Sequence, residues 1–172
     1  MSFANIGQLW TPKQFRDYLR TQERPQWVKA ITLHHTAAPS LAMRPNGLTI
    51  QHIKNIMSGY KEKGWNSGPH LFVDDSNTRC VLGMTPLQEK GIHATSFNRD
   101  SIGIEVLGDY DNESPFDGRG LNAWKNAAEC TKALLTWLSL PKAAIRFHRE
   151  DPRTDKTCPG ELVKKDWFLA ML

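Results

Sequence analysis

Apolar positions recur along this chain with two periods. Across Thr11–Arg20, Phe15 and Leu19 stand four apart, Thr11 can cap a first turn and Pro12 suits the first helical position, so the pattern predicts a helix. A second helix is expected from Thr49 to about Lys63, with Ile50, Ile53, Ile56, Met57 and Tyr60 as its apolar stripe. The longest runs from Leu121 to Leu140, and Leu162–Leu172 closes the chain as an amphipathic helix. Between these lie short runs that suit strands. They are Lys29–His35, a hairpin of His70–Asp75 and Thr78–Met84 around Ser76-Asn77, Ser101–Tyr110, and Ala143–His148. In Ser101–Tyr110, Ile102, Ile104 and Val106 alternate with Gly103, Glu105 and Leu107. Strands alternate with helices, yet one pair is a hairpin. The pattern predicts a single-domain α/β fold, a mixed central sheet flanked by helices.

Composition narrows this picture. A chain of 172 residues with 40% hydrophobic and 23% charged positions fits one soluble domain with a sizeable core. No apolar run is long enough to span a bilayer, and the N-terminus lacks the basic and apolar regions of a secretory leader. Synthesis in a cytoplasm and no stable membrane insertion are therefore expected. Three cysteines, Cys80, Cys130 and Cys158, make a disulfide framework a poor fit. The net charge of +4 suits either simple solubility or attraction to a polyanion such as nucleic acid, an acidic cell wall or an anionic membrane surface, but the charges are scattered, with no block like those of basic tails. Nothing in the sequence demands a dimer.

Candidate chemistry gathers where predicted strands end. His34-His35 ends the first, His148 ends the last, and Cys158 lies in the polar turn "DKTCPG" before the final helix. Alone, His34 reads as a satisfied core histidine and Cys158 as a buried small hydrophobe. Together, two imidazoles and a thiolate suit zinc, and three protein ligands leave the open fourth position of a catalytic site. Neighbours on a strand point to opposite faces, so one of His34 and His35 is the ligand and the other packs elsewhere or binds substrate. Glu105 sits inside an apolar strand, where a carboxylate costs desolvation energy unless it is paired or used as a base. Lys156 lies two residues before Cys158 and could stabilise an oxyanion. His93 is a further candidate for the same rim.

The stretches "ITLHHTA", "GIHATSFNRDSIGIEVLGDY" and "FHREDPRTDKTCPG" together resemble the N-acetylmuramoyl-L-alanine amidase family of zinc enzymes. That family includes phage amidase lysozymes, bacterial wall-recycling amidases and animal peptidoglycan recognition proteins. The resemblance implies zinc held by His34, His148 and Cys158, Lys156 as the transition-state lysine and Glu105 as the catalytic glutamate. His93, His35 and Asn98 are the expected substrate-binding residues. The implied reaction cleaves the amide between N-acetylmuramic acid and L-alanine in peptidoglycan. With no leader visible, it suggests a phage endolysin that reaches the wall or periplasm only after release, with a tail-associated or a cytoplasmic recycling enzyme as alternatives. One catalytic domain over residues 1–172, a monomer without a wall-binding module, is expected. One departure stands out. Branches of the family carry a catalytic tyrosine where this chain has Pro69, in "SGPHLFV", so Glu105 is expected to take over that role. Two other readings are a binding-only peptidoglycan domain, against which Cys158 argues, and a nucleic-acid-binding protein with a structural zinc. The second would call for closely paired ligands, and His34 stands far from the other two.

Overall fold

The computed structural model describes residues 3–172; the first two positions of the segment read above for a leader lie outside them. Capping sets the first two helices. At α1 (Pro12–Arg20), Thr11 Oγ1 accepts from Gln14 N at 3.1 Å while Gln14 Oε1 accepts from Thr11 N at 2.9 Å. Thr49 and His52 make the same reciprocal pair at α2 (Ile50–Glu62).

The strands are β1 (Leu9–Trp10), β2 (Ala30–His35), β3 (Leu71–Val73), β4 (Val81–Gly83), β5 (Ser101–Val106) and β6 (Ile145–Phe147). They form one sheet in the order β1-β4-β3-β5-β2-β6. The β1/β4 and β4/β3 pairs are antiparallel, and the β3/β5, β5/β2 and β2/β6 pairs are parallel. This is the mixed sheet expected. The remaining helices are α3 (Gly118–Leu138) and α4 (Lys165–Ala170). Helix α3 packs on α1 and on β3 and β5. Phe15, Leu19, Trp124, Leu134 and Phe168 are buried in that core, each burial worth ~1.5–3 kcal/mol.

Several boundaries differ from expectation, each for a local reason. Strand β1 is too short to leave a periodic signal. The hairpin is joined by residues 74–80 rather than a two-residue turn, because Asp74 folds back to accept from Ser76 N at 3.0 Å and, through its other oxygen, from Leu48 N at 2.6 Å. Strand β5 ends before Tyr110 because the chain turns at Gly108, whose φ is +142°. A Cβ there would lie 2.6 Å from the Tyr110 ring. The last helix starts at Lys165, not Leu162. The residues before it form a turn in which Gly160 O accepts from Val163 N at 3.1 Å, and the carbonyls of Gly160 and Val163 accept from the Arg149 guanidinium at 2.8 and 2.6 Å.

Register decides what shares a face. Phe72 on β3 is level with Glu105 on β5, and Glu105 with His34 on β2. Leu33 is level with Phe147, so the next residue, His148, comes just past the end of β6 beside His34. One row of the sheet therefore reads Phe72, Glu105, His34, His148. The row behind it holds Gly103 level with Thr32.

Candidate metal and catalytic site

That row opens into a cavity of about 630 Å³. Phe72, Glu105, His34 and His148 form its base, the 156–158 turn supplies Lys156, Thr157 and Cys158, and α2 supplies Tyr60. At one end His34 Nδ1 lies 3.1 Å from His148 Nδ1 and 3.7 Å from Cys158 Sγ. These three donors lie within 4.8 Å of one another, and all three residues are buried. Two imidazole nitrogens and a sulfur, open on the cavity side, match the ligand chemistry and open geometry of a catalytic divalent centre.

The electrostatics suit a cation. Burial holds His34 well below the ordinary imidazole range, helped by the neighbouring His93 and His148, and burial also lowers His148. Both rings are therefore neutral, with lone pairs to give. Burial, and then the Glu105 carboxylate, push the Cys158 thiol far up. Such a thiol ionises when a metal faces it. Glu105 is 13% exposed, with Oε1 3.9 Å from His34 Nδ1. Burial pushes its carboxyl up to about 8, against the pull of the Lys156 charge.

With this geometry in place, likeness to known proteins becomes informative. Residues 22–161 match the family profile described as N-acetylmuramoyl-L-alanine amidase. The chain belongs to that amidase family. The endolysin of Escherichia phage T7 is 27% identical over 116 residues, covering 67% of this chain and 74% of that protein. The catalytic domain of XlyA superposes with a TM-score of 0.64 at 27% identity, covering 84% of this chain and 86% of that one. Drosophila PGRP-LB shares the fold, with a TM-score of 0.60 at 22% identity over 80% of this chain and 78% of its own.

In this amidase the other expected site residues take different places. His35 borders the cavity, but its Nδ1 accepts from Tyr110 N at 3.1 Å. Its proton is therefore on Nε2, which points toward Asp111 Oδ2 at 4.0 Å. His93 was expected on the substrate rim. It does border the cavity, yet both ring nitrogens are engaged. Nδ1 meets His34 Nε2 at 3.0 Å, and Nε2 meets the Ser101 carbonyl at 3.1 Å. It has no polar atom left for a substrate. Asn98 takes a different place. It does not line the cavity, because its Oδ1 accepts from His93 N at 2.8 Å and Ala94 N at 2.7 Å, which ties the loop before β5. Cys80 and Cys130 are buried core residues, apart from the donor cluster.

Two residues of the site were not picked out in the sequence. Arg149 looks like any loop arginine, yet its guanidinium donates to the carbonyls of Thr157, Gly160 and Val163, and its own N–H donates to Cys158 O at 2.7 Å. It holds the cysteine turn against His148. Tyr60 read as part of the α2 apolar stripe. Its ring packs beside Gly68, where a Cβ would lie 2.7 Å from Cε2, and it lines the cavity. Burial, and then the charge of Glu105, push its phenol up, so it remains a hydrogen-bond donor.

Proposed function

We propose that this chain is a zinc-dependent amidase that hydrolyses the lactyl amide between N-acetylmuramic acid and L-alanine, and that it serves phage-mediated lysis of the host. The observation that carries the reading is the convergence of His34 Nδ1, His148 Nδ1 and Cys158 Sγ at the end of a cavity whose base also holds Glu105. When bound to these donors, zinc supplies Lewis acidity toward a water and the scissile carbonyl. Glu105 takes a proton from the attacking water and delivers it to the leaving nitrogen. A carboxyl raised toward neutrality by burial can do both within one cycle. Lys156, exposed at the cavity mouth, carries the cation that faces the developing oxyanion. His35 presents its Nε2–H to the substrate, and Tyr60 offers the hydroxyl that Pro69 lacks.

The lytic role draws support from likeness to the phage T7 endolysin. The reaction is tested by mass spectrometry of peptidoglycan digested with the purified protein. A free L-alanine amino terminus on an intact glycan is expected. New reducing sugar ends would point to a glycosidase and overturn the reading. Removal of metal by a chelator should abolish release of stem peptide, and added zinc should restore it. Zinc bound in full with no cleavage would favour the binding-only reading instead.

A further inference from the structure

The histidines behind the donor cluster form a chain of hydrogen bonds with a fixed direction. The Ser101 carbonyl can only accept, so the proton of His93 is on Nε2, 3.1 Å from that oxygen. Nδ1 of neutral His93 is then an acceptor. It faces His34 Nε2 at 3.0 Å, so His34 carries its proton on Nε2 and leaves the Nδ1 lone pair free. That Nδ1 is the atom meeting His148 Nδ1 and Cys158 Sγ. We propose that His93 is the positioning residue that sets the tautomer and ring orientation of His34 and thereby readies the metal site.

The surroundings are built to keep this ring in place. His93 lies over Gly103, where a Cβ would come 2.5 Å from its Cγ, so β5 carries a glycine at the level where the ring packs. Asn98 holds the backbone on both sides of the ring's root. The His34 and His93 rings meet edge to face at 5.0 Å between centroids. A second imidazole, His70, meets the far side of His93 at 5.9 Å. Its own nitrogens are used by Gly103 N and the Glu89 carbonyl, each at 3.0 Å. His70 therefore cannot compete for His93 Nδ1. A partner of this kind on the unused nitrogen of a metal-binding histidine raises affinity and fixes geometry.

The consequence for metal rests on the zinc reading above, whereas the tautomer does not, and the test separates them. Long-range proton–nitrogen NMR of the metal-free protein should show His34 in the Nε2–H form alone. His93→Phe keeps the ring and removes both nitrogens, and should leave His34 in a mixture of tautomers. Its zinc affinity, measured by competition with a chromophoric chelator, should fall ~10–100-fold. His93→Asn restores an acceptor near the position of Nδ1 and should regain most of that loss. A folded His93→Phe protein that binds zinc within about twofold of wild type would overturn the proposal, as would an Asn variant no better than Phe. If the Phe variant does not fold, the His34 tautomer in the Asn variant decides. The Nε2–H form supports the proposal, and a mixture sinks it. Wild-type protein that takes up no zinc would overturn the zinc reading, and the tautomer measurement would then judge His93 on its own.

Discussion

Two neighbouring histidines on β2 each stand at the centre of a cluster of possible metal ligands, and only one cluster is fit to hold a metal. His34 gathers with His148 and Cys158, and His35 with Asp109 and Asp111. The second group has more negative charge. Its histidine is nevertheless closed to a cation, because Tyr110 N–H occupies Nδ1 and the proton is left on Nε2. Its carboxylates are also in use. Asp111 accepts from Thr157 Oγ1 and Glu161 N, each at 2.8 Å, and Asp109 accepts from Asn112 Nδ2 at 2.8 Å. At His34 the hydrogen bond to His93 falls on Nε2, so the Nδ1 lone pair faces His148 and Cys158. Ligand types and proximity do not make a metal site. The hydrogen bond on the far side of each imidazole does, by choosing which nitrogen keeps its lone pair.

The comparison can be broken in several ways. The largest effect is expected at Cys158. Cys158→Ser should lose bound zinc on dialysis and lose amidase activity with it, whereas Asp111→Asn should leave the zinc content per chain unchanged. A second equivalent of zinc that binds wild type and is lost in Asp111→Asn would erase the distinction between the clusters. Glu105→Gln removes the proposed base and keeps the shape. Activity should drop ~10²–10⁴-fold while zinc content holds, which separates proton transfer from metal binding. Lys156→Ala should cost about 100-fold or more in kcat, again with zinc retained. Equal loss of zinc in either variant would mean that these residues build the metal site instead of acting beside it.

The smallest expected effect concerns a buried carboxylate outside both clusters. Burial pushes Asp74 up from 3.8 to about 6. Its folded form holds the proton more tightly than the unfolded chain does. Its contribution to stability is therefore complete below 3.8 and is lost as pH rises through about 6. Asp74→Asn should remove that slope from urea midpoints measured across the window, whatever constant offset the substitution adds. An unchanged slope would show that the carboxylate behaves as an ordinary exposed one.

Much of the site was legible because its residues break local patterns. A glutamate inside "GIEVLG", a histidine pair ending a strand and a cysteine in a polar turn each depart from what burial alone would select. Arg149 was invisible because its partners are backbone carbonyls, whose positions depend on the folded turn rather than on residue types. His93 and Asn98 both precede β5, and sequence position alone does not tell what their side chains meet. In the fold His93 meets His34, and Asn98 ties the backbone of the loop before β5.

By itself, the sequence determined the elements other than β1, several of their ends and the inventory of chemical groups. Those follow from apolar period, from caps such as Thr11 and Thr49, and from residue type, all of which act over a few positions along the chain. Only the tertiary structure decided that Glu105, His34 and His148 share one row, that Cys158 closes on it, and that His34 and His35 expose different nitrogens. Sheet register and hydrogen-bond direction join residues far apart in sequence, and a one-residue slip in strand pairing would turn Glu105 or His34 to the opposite face.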